Sequence, residues 1–305
     1  MEKLASTHDE ALDYYRKAGQ IASRVRKAVP HIVKPGRRVL EACEEIENMI
    51  FKLGGKLAFP CNIGINEVTA HFTPSIENIE KFPDESIVKI DLGVHLNGYI
   101  ADTAITLPFD PVYDSMTLAA ENALDAAIKD IKPGKKISEI GYTIEKNITR
   151  HGFKPIRNLT GHKIERYSLH CGKAIPNVSH MDGSKIEKGE VFAIEPFATS
   201  IDASGFVRDN REAYIYKYSK EKGLNSKKAI EIIRHIKKDF LNLPFTPRWL
   251  ANQYSREELQ KYLSEIISLK CIIPYYVLVE ESNKPVAQAE HTVIINDEGC
   301  EVLTL

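Results

Sequence analysis

The sequence lacks the features that direct a protein to a membrane or to nucleic acid. Its 305 residues carry a formal net charge of −1, so no overall field attracts it to a polyanion or to anionic lipid. No apolar run approaches the ~20 residues that a transmembrane helix needs. The first residues, 1–6, do not form the apolar stretch of a signal peptide. We therefore expect a cytoplasmic protein, monomeric, with no membrane partner and no specific nucleic-acid partner.

Cysteine is also sparse, and its spacing does not suggest a disulfide framework. The five cysteines are scattered and form no C-x-x-C pair. In the cytoplasm such thiols are expected to be reduced and mostly buried. The hydrophobic fraction of 43% and the charged fraction of 27% are typical of a soluble globular chain.

Two predicted helices open the chain. Thr7 and Glu10 form a capping box, and an apolar stripe with helical spacing follows and ends before Pro30. A second helix follows the turn at residues 34–36 and ends at the glycine pair 54–55.

The second helix occurs twice. Residues 34–54 match residues 132–152 at a constant offset of 98, and a further helical segment, at about 113–131, precedes the second copy. A weaker repeat places Asp91 and Glu195 each at the end of an apolar strand. These repeats predict a duplicated α+β unit, whose pseudo-twofold axis would bring the two carboxylates to equivalent positions.

Residues 217–270 interrupt this pattern. Two segments have helical spacing there, one after Ser226 and one after a second capping box at Ser255. A proline-rich stretch, residues 243–249, lies between them. The expected division is a catalytic domain, residues 1–216 and 271–305, with a small helical insert, residues 217–270.

The segment around residues 90–104 contains the most informative pattern. Asn97-Gly98 between two β-like runs is a strong hairpin signal, and this turn pairs Gly93 with Asp102. Asp91 then becomes a diagonal neighbour of Asp102 on the same face. Two such carboxylates in apolar surroundings need a raised pKa, a basic partner or a metal ion, unless they are exposed on an edge hairpin.

Three other residues with metal-ligand side chains lie in strand-like sequence. His162 follows a strand-like segment that begins at Pro155, and Glu195 and Glu290 stand within apolar runs. Each glutamate taken alone would more simply form a salt bridge. Together with Asp91 and Asp102, however, they make four carboxylates and one imidazole, a set whose charge balances two divalent cations.

These residues form a pattern that resembles the methionine aminopeptidases. The matching motifs are Asp91-x10-Asp102, Gly161-His162, Ile-Glu195-Pro and Ala-Glu290-His-Thr. Residues 58–60, 71–74, 158–164 and 169–176, together with the helical insert, are similar to the type 2 subfamily and most similar to its archaeal members. The resemblance implies the α+β "pita-bread" fold, and it implies removal of the initiator methionine from nascent polypeptides when the second residue is small. The ribosome is a further partner that it suggests.

The resemblance also implies how the ligands act. Asp91 would chelate one ion, His162 and Glu195 the other, while Asp102 and Glu290 would bridge the two. The ligand set suits cobalt, manganese, iron or zinc. Two such ions would activate a water molecule and polarise the scissile carbonyl.

Further site residues follow from the same family motifs. His71 and His170 would hydrogen-bond the substrate near the scissile peptide, and Glu195 would carry a proton; we assign these three residues a catalytic role. The methionine pocket would be formed by three apolar residues, Phe59, Leu169 and Ile215.

Two alternatives share the expected fold. Prolidase-type Xaa-Pro peptidases use the same five ligands, but they usually carry a separate N-terminal domain and a histidine three positions before the glycine of the Gly-His motif; position 158 is an asparagine. A non-catalytic relative that binds ribosomes or RNA would have replaced its metal ligands and would carry a basic or low-complexity tail.

Overall fold

The computed structural model describes residues 8–305, so the predicted capping box at Thr7 lies outside the described residues. Its α-helices are α1 (His8–Ile32), α2 (Val39–Lys52), α3 (Asp114–Asp130), α4 (Ile137–Arg150), α5 (Lys227–Phe240) and α6 (Arg256–Ser268). Its strands are β1 (Lys56–Ile65), β2 (Val68–Ala70), β3 (Ile87–Leu96), β4 (Tyr99–Pro108), β5 (Lys154–Pro155), β6 (Thr160–Ile164), β7 (Ala174–Pro176), β8 (Val191–Ile194), β9 (Phe197–Thr199), β10 (Val207–Tyr218), β11 (Ile272–Glu280), β12 (Val286–Gln288), β13 (Glu290–Ile295) and β14 (Cys300–Val302).

Helix α1 extends further than the sequence predicts. Its apolar stripe is buried as expected, but the helix continues through Pro30 and ends at Ile32. The expected end before Pro30 was therefore wrong. Proline at this position removes one backbone donor in the last turn only, and the N–H of Val33 still donates to the carbonyl of Val29 at 2.8 Å. Burial of Ile32 and Val33 favours the extra turn.

The internal repeat is a structural repeat. Helix α4 begins and ends 98 residues after α2, since 137 − 39 and 150 − 52 both equal 98. Each helix is followed by a glycine in the left-handed region, Gly54 with φ 86° and Gly152 with φ 83°. Glycine adopts this conformation without steric cost, so both helices end at the same point of the repeat.

One eight-stranded sheet runs through both halves. Its order is β1-β3-β4-β13-β8-β6-β7, with β14 paired to β13. Helices α1 and α2 bury their apolar faces with β1 and β3 in one core, while α3 and α4 do so with β8 and β13 in a second core. The halves therefore meet where β4 pairs with β13. The predicted α+β class is confirmed.

The carboxylate hairpin has the predicted register. Strands β3 and β4 pair Gly93 with Asp102 across the turn formed by Asn97 (φ 50°) and Gly98 (φ 87°). Positive φ at both turn residues matches the right-handed twist of the flanking strands. Asp91 lies two residues from Gly93 and hence on the same face as Asp102.

The predicted helical insert contains α5 and α6. Ser226 caps α5, and Ser255 forms with Glu258 the predicted capping box of α6. The two helices share an apolar cluster that includes Ile232, Ile236, Phe245 and Leu263. Strands β10 and β11 flank the insert and form a three-stranded sheet with β2. The division of the chain at residues 217 and 270 stays a prediction.

Candidate active site

The predicted metal ligands come from five adjacent strands of the central sheet. In sheet order, the ligands are Asp91 of β3, Asp102 of β4, Glu290 of β13, Glu195 at the end of β8 and His162 of β6. Glu195 immediately follows β8, as its apolar run predicts. His162 lies inside β6 and not after a strand that begins at Pro155. That expectation was wrong, because β5 ends at Pro155 and a turn separates it from β6.

Distances between these side chains are short. Nε2 of His162 lies 3.5 Å from Oδ2 of Asp102 and 3.6 Å from Oε1 of Glu195. One ligand atom each from Asp102, His162 and Glu290 lies within 4.8 Å of the others. Side-chain exposure is 4% for Asp102, 8% for His162 and 14% for Glu195, so the group is shielded from bulk water.

Burial and mutual repulsion raise the pKa values of the four carboxyl groups. Desolvation raises the pKa of Asp102 to about 7. Desolvation, followed by the charge of Asp102, raises the pKa of Asp91 and of Glu290 well above the ordinary range. The pKa of Glu195 is likewise raised by burial, although the nearby His162 opposes this. Either protons or cations must therefore neutralise these groups at neutral pH.

The donor set fits divalent cations. Within residues 8–305, no lysine or arginine forms an ion pair with any of these four carboxylates. Three of their oxygens are buried and have no hydrogen-bond partner in this part of the chain: Oδ1 of Asp91, Oδ1 of Asp102 and Oε2 of Glu290. Buried polar atoms are normally satisfied, so three unsatisfied oxygens on residues that line one cavity indicate an ion site.

A cavity of about 210 Å³ adjoins these ligands. All ten site residues predicted from the sequence line this cavity: the five ligands together with Phe59, His71, Leu169, His170 and Ile215. The structure thus brings together residues that are up to 231 positions apart in the chain, since 290 − 59 equals 231. Their individual roles stay predictions.

His71 has an unusual backbone conformation at the cavity wall. Its φ is 66°, in the left-handed region that costs energy for a residue with a side chain. Nδ1 lies 3.1 Å from the carbonyl oxygen of Tyr276, and the ring meets that of Tyr275 edge-on with centroids 5.3 Å apart. A carbonyl can only accept, so Nδ1 carries the proton and Nε2 is left as an acceptor. Burial lowers the pKa of His71, which keeps the ring neutral.

His170 lies beside the predicted metal ligand His162. Its ring centroid is 4.2 Å from that of His162 and 6.2 Å from that of Tyr275. The residue is exposed, in contrast to His162. Its ring nevertheless lines the cavity, and desolvation there, together with the neighbouring His162, lowers the pKa of His170, so its imidazole is neutral at neutral pH.

The apolar end of the cavity is shaped by close packing. Leu169 is 6% exposed and Ile215 2% exposed. The ring of Phe59 lies so close to Gly93 that a Cβ placed there would be 2.2 Å from Cε1 of the ring. Gly93 lies on β3 opposite Phe59 of β1, so the absence of a side chain lets the phenyl ring pack directly on the strand that carries Asp91.

Sequence reasoning missed three polar residues around the ligands. Thr292 Oγ1 accepts the N–H of Asp102 at 2.7 Å and donates to its carbonyl at 2.8 Å. Gln288 lies near Glu195, with Nε2 3.4 Å from Oε2, and Asn62 pairs with Asp91 in the β1–β3 register. The alternation of β13 would have revealed Thr292, because it stands two residues after Glu290 in the same strand.

Comparison with known proteins places this site in a family. The model of metallopeptidase family M24 matches residues 13–242. The methionine aminopeptidase of Methanothermobacter thermautotrophicus is 42% identical over 296 residues, which cover 96% of this chain and 98% of that protein. That of Methanocaldococcus jannaschii is 43% identical over 288 residues, which cover 94% and 96%.

Solved structures show the same fold. A methionine aminopeptidase from Thermotoga maritima superimposes with a TM-score of 0.68 at 22% identity and covers 100% of this chain and 99% of its own. A thermophilic Arx1 structure gives a TM-score of 0.84 at 17% identity, covering 98% and 91%. Prolidase from Pyrococcus furiosus gives 0.61 at 17% identity, covering 97% of this chain but 64% of that one. At these identities the likeness concerns the fold alone.

The fold and the buried ligand set define a metallopeptidase with the pita-bread fold. The chain belongs to metallopeptidase family M24 and, within it, to the methionine aminopeptidases. It is therefore a hydrolase that uses divalent metal. The family predicted from the sequence motifs is confirmed, and the methionine aminopeptidase interpretation is favoured over both the prolidase-type and the non-catalytic alternative. In the described part of the chain, no helix has the length and apolar character that crossing a bilayer requires.

Proposed function

We propose that this protein removes the N-terminal methionine from polypeptides whose second residue is small, with two divalent ions bound by the five strand residues. One observation carries the proposal. Four carboxylates, two of them buried and two half-buried, line one cavity together with the imidazole of His162, without a lysine or arginine partner in residues 8–305, and three apolar side chains line the same cavity.

Asp91 would hold one ion and His162 with Glu195 the other, and Asp102 with Glu290 would be shared. Four negative charges balance two divalent cations, and the oxygen-rich set is suited to cobalt, manganese, iron or zinc. When bound, such ions lower the pKa of a coordinated water and polarise the substrate's carbonyl. Glu195 is the residue proposed to carry the proton, because burial raises the pKa of its carboxyl group well above the ordinary range.

His71 and His170 are proposed to orient the scissile peptide. Both are neutral at neutral pH, and Nε2 of His71 is free to accept a hydrogen bond from a substrate N–H. Phe59, Leu169 and Ile215 are proposed to bind the methionine side chain. A flexible, polarizable thioether gains dispersion energy against such a wall, in particular at the edge of an aromatic ring.

The natural substrates are proposed to be the N-termini of nascent polypeptides, met in the cytoplasm and near the ribosome. We also propose that the protein acts as a monomer and that residues 217–270 form a separate helical insert within the catalytic domain.

The reaction is tested with matched tripeptides. Met-Ala-Ser with added divalent metal is expected to release methionine, whereas Met-Lys-Ser is expected to remain intact. Hydrolysis of Xaa-Pro peptides in preference to Met-Ala-Ser would instead identify a prolidase-type enzyme. No hydrolysis with cobalt, manganese, iron or zinc would reject the proposal.

The metal centre is tested separately from activity. Elemental analysis after dialysis is expected to find two ions per chain, and Glu290→Gln is expected to lower this number. Glu301→Gln is a suitable control, because Glu301 is an exposed partner of Arg16. Equal metal content in wild type and Glu290→Gln would contradict the ligand assignment.

A further inference from the structure

The segment between helices α5 and α6 reaches the active-site cavity. Its residues 243–249 are here called the insert loop. Pro244 lines the cavity, and Phe245 exchanges two backbone hydrogen bonds of 2.8 Å with Tyr216. Tyr216 follows Ile215, which lines the cavity as well. The insert loop therefore lies directly against the wall that includes Ile215.

A buried ion pair joins the insert loop to helix α2. Arg248 forms a bidentate ion pair with Glu47, in which Nη1 donates to Oε2 at 2.8 Å and Nη2 donates to Oε1 at 2.9 Å. Each side chain is only 5% exposed. Nε1 of Trp249 donates a further hydrogen bond of 3.0 Å to Oε2 of Glu47. Paired geometry of this kind fixes both side chains in direction as well as in distance.

The same pair holds two segments of the cavity wall. On one side, Oε1 of Glu47 accepts the N–H of Cys61 at 3.2 Å, between the cavity residues Phe59 and Asn62. On the other side, Arg248 donates from Nε to the carbonyl of Pro74 at 3.1 Å and from Nη2 to Oγ1 of Thr73 at 3.3 Å.

These contacts explain how His71 keeps its strained backbone. Thr73 and Pro74 follow His71 by two and three residues, and Thr73 is fully buried. A residue with a side chain persists at a φ of 66° only where its surroundings fix it. Strand β2 before His71 is only three residues long, so the segment after it adds to the constraint that the contacts with Tyr275 and Tyr276 provide.

We propose that Arg248 is a positioning residue, which through Glu47 holds His71 and the Phe59–Asn62 segment in the geometry that the reaction needs. The insert loop is then a part of the active site and not an appendage to it. This inference rests on the proposed function insofar as it gives His71 a role in the reaction.

Arg248→Lys is the most direct test. Lysine keeps the positive charge, but its single ammonium cannot reproduce the planar fork that contacts Glu47, Thr73 and Pro74 together. We expect kcat for Met-Ala-Ser to fall about 10- to 100-fold, the effect of a small misplacement of a positioned group, while KM changes less. The metal content per chain is expected to stay at the wild-type value.

The structure offers a matched control at the surface. Arg256 of α6 forms an ion pair of 2.7 Å with Glu77, so it also connects the insert to the segment that follows His71. In contrast to Arg248 and Glu47, these two side chains are 71% and 54% exposed. Arg256→Lys is expected to leave kcat and KM within a factor of two of wild type, because exposed ion pairs contribute little.

A second readout does not depend on activity. Amide hydrogen exchange in the peptides that contain residues 59–63 and 71–75 is expected to speed up in Arg248→Lys and to remain unchanged in Arg256→Lys. A purely global destabilisation would instead speed up exchange equally in α4, which lies in the other half of the protein.

The outcomes separate this inference from the proposed function. An inactive wild type would reject the function, while exchange would still decide whether Arg248 holds the two segments. An active wild type with unchanged kcat and unchanged exchange in Arg248→Lys would overturn the inference. If Arg248→Lys does not fold, Glu47→Gln combined with Arg248→Met removes both buried charges together, and the same loss of kcat is expected.

Discussion

Two hydrogen bonds join Asp102 and Thr292 across the junction of the two halves of the molecule. The threonine hydroxyl accepts the N–H of Asp102 at 2.7 Å and donates to its carbonyl at 2.8 Å, where β4 meets β13. The backbone pairing of these two strands comprises only Glu290 with Ala104 and His291 with Thr103. A single buried hydroxyl thus helps to set the distance between two of the proposed bridging ligands.

Thr292→Val, which keeps the shape but not the hydroxyl, tests this. It leaves a buried N–H and a carbonyl unsatisfied, so we expect unfolding free energy to fall by about 1–3 kcal/mol. We also expect weaker metal binding, measured by titration calorimetry. Thr292→Ser keeps both hydrogen bonds and should retain metal affinity; an equal loss in both variants would argue against the hydroxyl's role.

Removal of the metal is expected to make stability depend on pH. The folded-state pKa of Asp102 is raised to about 7 from 3.8, so the metal-free folded protein binds more protons than the unfolded chain between these values. The contribution of Asp102 to the unfolding free energy of the metal-free protein is therefore fully present below pH 4. It is lost as the pH rises through 7. Urea unfolding of wild type and Asp102→Asn, both treated with chelator, measures this.

Asp102→Asn removes the titrating group and should lose less stability across that interval than the metal-free wild type. In the presence of metal the wild-type curve should be flatter, because cations replace the protons and bind only the folded state. Parallel curves for the metal-free wild type and Asp102→Asn would show that Asp102 does not titrate in this window.

His71 can be tested without disturbing its backbone. Asparagine tolerates the left-handed region better than most residues, so His71→Asn should fold normally while it lacks the imidazole. We expect kcat to fall about 10²-fold, the usual effect of losing one group that positions the substrate. Elemental analysis should find unchanged metal content, and loss of metal from this variant would refute the assigned role.

Gly93→Ala probes the apolar end of the cavity. The added methyl would lie 2.2 Å from the ring of Phe59, so the ring must move away from β3. We expect kcat/KM for Met-Ala-Ser to fall, mainly through KM, and stability to fall by about 1–3 kcal/mol through overpacking. Stability measurements of Gly93→Ala combined with Phe59→Leu provide the control.

The smaller leucine leaves room for the new methyl, so the double variant should regain part of the lost stability. If Phe59→Leu restores none of it, the contact between Phe59 and Gly93 does not limit the side chain at position 93.

Local patterns in the sequence determined a large part of this protein. The turn at Asn97-Gly98 dictates the register that pairs Gly93 with Asp102, because hairpin geometry depends on neighbouring residues alone. The offset of 98 between the two helical repeats likewise gives α2 and α4 the same length. Two boundary predictions were wrong, the helix end before Pro30 and the strand before His162, because each was made from a local feature without its tertiary context.

What only the tertiary structure decided is the order of the strands and the contacts of distant segments. Nothing in the sequence states that β13 lies between β4 and β8, and this order is what lines up five ligands on five adjacent strands. Arg248 and Glu47 are 201 residues apart, and neither residue stands out from the other charged residues of the chain. Such pairings depend on how whole elements pack, since the free energy that selects them comes from burying many side chains at once and not from any short motif.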